Sequence, residues 1–326
     1  MAKKNEVIDE VIKALNKKYH NAIITERTRY EFYPSGIVQW DAFIGGLPKG
    51  TLIEIFGDEE VGKTTLALTF CGAIQKADPK RKILYCDFED VIDLGYAGRI
   101  CDTSSKSFIL AQPESLEEGW NLILDVLEQI PVSCIVVDSV AAMVPEAELD
   151  GDMTKDQIGL LPRKVGQALR KSLGLIRRKK VVAIFINQTR LKIGVLFGDP
   201  ETTPGGKSIK FRAAIRARLT KTNSQKYIPK GFEYAELCRC KLVKNKITGR
   251  KTTFEWLVAP DLGIIREEEI LRAALNYRIL EEITERKGKG FYYKGNHLGK
   301  TRLEVVERVF RDEKNYQKIY KEIMEV

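Results

Sequence analysis

The stretch TLIEIFGDEEVGKTT, residues 51–65, decides the architecture. Thr51–Phe56 reads as a strand, and the residues from about Lys63 to Gln75 read as a helix. Between them, Gly57-Asp58-Glu59-Glu60-Val61-Gly62-Lys63-Thr64 satisfies the spacing G-x-x-x-x-G-K-[ST] in the strand-to-helix setting that the motif requires. Glycines let the backbone curl so that its N–H groups face phosphate oxygens at a helix N-terminus. Lys63 supplies a cation for the outer phosphates, and the Thr64 hydroxyl is a candidate ligand for Mg²⁺. A chance glycine-rich turn would lack the flanking strand and helix.

Outward from this loop the chain alternates apolar and helical stretches. Lys82–Asp87, Ser107–Ala111, Val132–Asp138 and Val181–Ile186 read as strands, with helices over about 114–129 and 161–179. That rhythm predicts an α/β fold with a mostly parallel central sheet and helices on both faces. After Arg212 the stretches Ala213–Leu219, Ala235–Lys246 and Thr253–Val258 lack intervening helices and are expected to extend the sheet as antiparallel strands. From about Glu267 the chain turns helical and highly charged, with a basic, aromatic turn at Lys287–Gly295, which suggests a small α+β C-terminal domain. Residues 5–18 carry an amphipathic helical pattern followed by Ala22-Ile23-Ile24, a helix-strand arm that packs on its own domain or docks on a neighbouring subunit. The expected divisions are 1–29, 30–266 and 267–326.

Composition narrows the partner class. The net charge of +9 points to a polyanion, nucleic acid before an acidic membrane. No apolar run reaches the ~18 residues of a membrane span, and no apolar segment follows the charged N-terminus as it would in a secretory signal. Six cysteines show no zinc-knuckle spacing, and Cys238-x-Cys240 has no histidine nearby, so all read as structural thiols of a reducing cytoplasm.

Three further features join the phosphate loop. The apolar strand ending at Asp138 places a carboxylate at the carboxyl edge of the sheet, where it can hold the magnesium shell. Strand alternation puts Asp87 and Glu89 on one face, where a carboxylate polarises the attacking water or simply decorates a solvated acidic turn. Asn187-Gln188 closes another strand, either sensing a γ-phosphate or satisfying a strand end.

The segment FINQTRLKIGVLFGDPETTPGGKSIKF, residues 185–211, resembles a DNA-contacting loop of the bacterial RecA recombinases with its flanking strand and helix. DSVAAMVPEAELDGDMTKDQIGL, residues 138–160, resembles the other DNA loop of that family. KLVKNKI, residues 241–247, resembles a third hallmark, and FYYKGNHLGK, residues 291–300, continues the likeness more weakly. The resemblance implies a RecA-type P-loop ATPase core using ATP and Mg²⁺, and a homo-oligomeric helical filament on single-stranded DNA that pairs with homologous duplex DNA, with no membrane partner.

Carried over position by position, it implies nucleotide contacts from Gly57, Asp58, Glu59, Glu60, Val61, Gly62, Lys63, Thr64 and Thr65. Asp93 and Tyr96 fall where the family holds adenine, and Thr64 and Asp138 where it holds magnesium through water. Glu89 would activate water, and Gln188 would couple the γ-phosphate to the loop that follows. Lys244 and Lys246 would reach the γ-phosphate bound by a neighbouring subunit, and Phe211 would pack between subunits. DNA contacts are implied for Arg163 and Arg170 on one helix face, for Arg190, Lys192, Ile193, Gly194 and Phe197, and for Gly205, Gly206 and Lys207. Cations there neutralise phosphates while apolar side chains wedge between bases. The patch Lys287, Lys289, Phe291, Tyr292, Tyr293 and Lys294 contacts duplex on the same resemblance, and is a solvated turn with core aromatics without it.

Two departures stand out. Asp58, Glu59 and Glu60 make the phosphate loop unusually acidic, which weakens triphosphate binding unless the carboxylates point away. Pro204 and Lys207 also differ from the family's usual residues near the end of the second loop. An ATP-gated DNA-binding or mediator protein with little hydrolysis is the alternative. A hexameric helicase is disfavoured by the two DNA loops and the C-terminal segment.

Overall fold

The computed structural model describes residues 2–18, 30–151, 159–191, 201–223, 228, 230–285 and 288–326. Residues 1–31 form one unit and residues 32–326 a second. In the first, helix α1 (Ala2–Lys18) ends on Lys17 and Lys18, where cations complement the helix C-terminus. Ile8, Val11 and Leu15 share one face of it and are exposed. The expected strand at Ala22-Ile23-Ile24 lies outside the described residues.

The second unit opens with β1 (Phe32–Tyr33), α2 (Val38–Ile44) and β2 (Leu47–Pro48), then enters the main sheet at β3 (Leu52–Gly57). The order continues α3 (Lys63–Ala77), β4 (Lys82–Asp87), α4 (Leu94–Ile100), β5 (Phe108–Ala111), α5 (Leu116–Gln129), β6 (Val132–Asp138), α6 (Glu146–Leu149), α7 (Leu160–Lys179) and β7 (Val182–Gln188). A short ribbon, β8 (Arg190–Leu191) and β9 (Glu201–Thr202), precedes α8 (Lys207–Arg212), β10 (Ile215–Thr222), β11 (Glu236–Asn245), β12 (Thr253–Ala259) and β13 (Gly263–Ile264). The chain ends with α9 (Arg266–Asn276), β14 (Glu281–Ile283), β15 (Gly290–Tyr293), β16 (Asn296–Gly299), α10 (Arg302–Val305) and α11 (Glu313–Met324).

The nine-stranded sheet runs β13-β12-β11-β10-β3-β7-β6-β4-β5. Its middle strands β3 and β6 are buried at every position, as strands covered on both faces must be. One face packs Ile53, Ile55, Val136 and Ile184 against α3 and the other packs Leu52, Ile135, Val137 and Phe185 against α5 and α7. Helix α5 starts on a reciprocal cap: Ser115 Oγ accepts from Glu118 N at 3.0 Å while Glu118 Oε2 accepts from Glu114 N at 2.8 Å.

One pairing differs from expectation. Of the three stretches after Arg212, β11 and β12 are antiparallel to their neighbours, but β10 runs parallel to β3. Helix α8 reverses the chain before β10 begins, which supplies the crossover that a parallel strand needs.

The C-terminal segment starts at α9, and its three-stranded sheet β14-β15-β16 is antiparallel. Its apolar cluster, including Ile270, Leu271, Phe291, Phe310 and Ile323, is continuous with Leu237 of β11 and Leu257 of β12. Glu269 of α9, buried, accepts from Val38 N and Gln39 N at 3.0 Å each, capping α2 from 231 and 230 residues away. This segment and the nine-stranded sheet are therefore parts of one compact unit.

Candidate nucleotide and DNA sites

The phosphate loop bridges β3 and α3, and two of its glycines are sterically required. A Cβ on Gly57 would stand 2.4 Å from the Leu219 carbonyl oxygen, and Gly62 has φ +86°. Lys63 Nζ folds back to donate to the Asp58 carbonyl oxygen at 2.5 Å. Burial lowers the pKa of this ammonium, against the raising effect of Asp138 and Glu89. Asp58, Glu59 and Glu60 are all exposed to solvent.

Asp138, at the end of β6, faces the start of α3. Its Oδ2 accepts from Thr64 Oγ1 at 2.8 Å and from Tyr85 OH at 2.5 Å. Burial pushes the carboxyl up to about 6, and the nearby Glu89 and Asp87 add to this, while the two hydroxyl donors oppose it. A buried carboxylate beside a hydroxyl is a hard oxygen pair suited to Mg²⁺ and its waters. Glu89 lies on the same side, its Oε1 accepting from Ser139 Oγ.

Asp87 and Glu89 do not act alike, contrary to simple alternation. Asp87 is buried and spends its carboxylate on the backbone, accepting from Glu89 N at 3.2 Å and from Val91 N and Ile92 N at 3.0 Å. The strand ends at Asp87, so the loop turns Glu89 to a different task.

Thr64, Asp87, Glu89, Asp93, Tyr96 and Asp138 line one cavity of about 480 Å³. Asp93 caps α4, its Oδ1 accepting from Gly95 N and Tyr96 N at 2.7 and 3.0 Å. Tyr96 OH lies 2.8 Å from Thr65 Oγ1. Arg99, Pro260 and Asp261 line the same cavity and escaped the sequence reading. Pro260 and Asp261 arrive from the β12–β13 turn, and no local pattern shows that this turn returns to α3. Gln188 sits in register with Gly57 on adjacent strands, and Thr189 N donates to Gly57 O at 3.2 Å.

Lys244 and Lys246 do not line this cavity. Lys244 lines a separate cavity of about 650 Å³ with Lys207, Phe211 and Arg216. Lys244 Nζ donates to the carbonyl oxygens of Lys210 and Phe211 at 2.5 and 3.0 Å, and Lys246 Nζ donates to Phe211 O at 3.2 Å. Both ammonium groups thus sit on the C-terminal carbonyls of α8, the helix that follows the second loop. Burial, then the charges of Lys246 and Arg216, bring Lys244 down to about 8. Phe211 is 64% exposed.

Arg163 and Arg170 are exposed on α7, and Arg190 and Lys207 are exposed at either end of the second loop. A Cβ on Gly205 would stand 2.9 Å from Val140 Cγ1 and one on Gly206 2.9 Å from Pro162 Cβ, so the two glycines let this loop close on Val140 and on the start of α7. Lys192, Ile193, Gly194 and Phe197 lie outside the described residues, as does most of the first loop. In the C-terminal patch, Phe291 is core, while Tyr293 OH and Lys294 Nζ both donate to Glu322 Oε1, at 2.5 and 3.0 Å. Lys289 is exposed, and Lys287 lies outside the described residues. All six cysteines are free and buried. Among the described residues no helix is long and apolar enough to cross a membrane.

Residues 6–260 match the RecA N-terminal domain family. The chain is 40% identical over 283 residues to Protein RecA of Chloroherpeton thalassium, covering 86% of this chain and 76% of that protein. It is 35% identical over 330 residues to Protein RecA of Mesoplasma florum, covering 99% and 96%. Protein RecA of Gloeobacter violaceus is 36% identical over 314 residues, covering 94% and 82%.

Proposed function

This chain belongs to the RecA family, and from that membership we propose that it is an ATP-dependent recombinase that polymerises on single-stranded DNA and pairs it with homologous duplex. The observation that carries the reading is the convergence of Thr64, Glu89 and Asp138 on one cavity beside Lys63 at the carboxyl edge of the sheet.

Each residue has a task that follows from its surroundings. The backbone of residues 57–62 and the Lys63 ammonium hold the triphosphate. Thr64 and Asp138 would hold Mg²⁺, which supplies charge neutralisation on the phosphate oxygens when bound. Glu89, oriented by Ser139, takes a proton from the attacking water. Tyr96 and Asp93 also line the cavity and would hold the base. Gln188, level with Gly57, is placed to report the γ-phosphate to the loop that starts one residue later.

Lys244 and Lys246 complete a neighbour's nucleotide site in this reading. Neither lysine lines this subunit's own cavity, which supports a role in trans. The exposed Phe211 and the apolar face of α1 supply surfaces for subunit contact. Arg163, Arg170, Arg190 and Lys207 neutralise DNA phosphates, and sequence specificity comes from base pairing between strands.

The test is ATP hydrolysis with and without single-stranded DNA, followed by strand exchange between homologous substrates. Stimulation with exchange supports the recombinase. DNA binding without stimulated hydrolysis or exchange overturns it in favour of an ATP-gated DNA-binding protein.

A further inference from the structure

A polar row crosses four adjacent strands of the sheet. Glu54 of β3 is fully buried, an anion at the centre of the fold. Arg216 stands beside it in register on β10, and its Nε donates to Glu54 Oε2. On the other side, Asn187 of β7 donates Nδ2 to Glu54 Oε1 at 3.1 Å. The same Nδ2 donates to the Pro204 carbonyl oxygen at 3.0 Å, and Asn187 Oδ1 accepts from Gln188 N at 3.1 Å. Beyond Arg216, in register on β11, comes Lys244.

The ends of this row are functional positions. Asn187 precedes Gln188, and Pro204 lies where the second loop returns to the core. Lys244 is one of the two lysines that hold the end of α8. Stability does not account for the row. A buried ion pair is costly to desolvate, and apolar residues of equal volume commonly serve a core as well or better. A buried pair does give a fixed, directional link, because neither partner can move without orphaning the other. The guanidinium is further held over the Phe56 ring, 4.5 Å from its centroid.

We propose that Glu54 is a positioning residue that couples nucleotide to DNA: through Asn187 it ties Gln188 to the return of the second loop, and through Arg216 it sets the strand carrying Lys244. The inference rests on the recombinase reading and adds to it the internal element that links the two sites.

The test compares the full chain with Glu54→Gln, and with the double variant Glu54→Leu, Arg216→Met, which leaves no orphaned charge if the single change prevents folding. The affinity of each for a fluorescent oligo-dT strand is measured with and without a non-hydrolysable ATP analogue. The unaltered chain is expected to bind DNA about tenfold or more tighter with the analogue, and the variants to lose that ratio to within about twofold while still binding DNA. Linkage is reciprocal, so the effect of DNA on analogue affinity must fall by the same factor. A merely structural role would lower both affinities and leave the ratio unchanged, and that result in a folded variant overturns the inference alone. Failure of the unaltered chain to bind single-stranded DNA overturns the recombinase reading, and the inference with it.

Discussion

Ser139 donates its hydroxyl hydrogen to Glu89 Oε1, so the residue that follows the metal-side Asp138 orients the carboxylate expected to activate water. General-base catalysis contributes on the order of 10²–10⁴-fold. Glu89→Gln should therefore lower DNA-stimulated hydrolysis by at least about 100-fold while ATP binding persists, giving a long-lived filament. Ser139→Ala should cost less, roughly tenfold in kcat with little change in KM, since it only loosens the base. Steady-state kinetics decide both, and a Glu89→Gln protein that hydrolyses ATP normally would remove Glu89 from the mechanism.

Lys63→Ala should abolish nucleotide binding without unfolding the chain. Its ammonium is half-buried and donates to the Asp58 carbonyl oxygen within the same loop, so little of the fold depends on it. Equilibrium binding of a fluorescent ATP analogue, with circular dichroism as the control, checks this. Retained affinity would mean that the exposed, acidic loop does not hold a triphosphate in the expected way.

Activity should fall on the alkaline side through Lys244. Burial and neighbouring cations bring this ammonium down to about 8, so it is charged below that pH and neutral above it. Contacts it makes as a cation with a neighbour's phosphate are present below about pH 8 and fade as pH rises. The pH profile of kcat/KM for DNA-stimulated hydrolysis reads the free group. Lys244→Arg should move the alkaline limb out of range, because a guanidinium stays charged. A limb unchanged in that variant assigns it to another residue.

Glu269→Ala should destabilise the chain by roughly 2–4 kcal/mol, because it leaves the Val38 and Gln39 N–H groups buried without acceptors. The urea midpoint should drop, with hydrolysis per folded molecule unchanged. The pH dependence has a definite sign. Burial raises this carboxyl from its ordinary range to about 7, so between about pH 4.5 and 7 the folded chain holds a proton that the unfolded chain releases. Its contribution to stability therefore falls as pH rises across that window. An unchanged midpoint would show that α9 is not held to α2 by this cap.

Legibility differed from residue to residue. The phosphate loop, Asp138 and the strand pattern were readable because each is a local feature with a fixed spacing or period. Alternation puts Asp87 and Glu89 on one face, and both line the cavity, but it cannot show that backbone N–H groups hold Asp87, because those bonds come from the loop after the strand. The parallel sense of β10 was missed because α8 is only six residues long and resembles the loop before it. Pro260, Asp261 and Arg99 carry no motif, and only the chain's return to the cavity brings them there.

The sequence alone determined the local parts of the site: a G-x-x-x-x-G-K-[ST] loop between strand and helix, a carboxylate at a strand end and clustered cations are properties of short segments. Tertiary structure decided how the two carboxylates are held, since Asp87 accepts from backbone N–H groups and Glu89 from the Ser139 hydroxyl. It also decided that Lys244 and Lys246 sit on the end of α8, and that neither lines the cavity of Thr64, Glu89 and Asp138. Strand order and register also align Glu54, Arg216 and Lys244 on adjacent strands, and bring Asn187, two residues along on β7, within reach of Glu54. No local period encodes such a row, because the hydrogen bonds that select it form only once the sheet has closed.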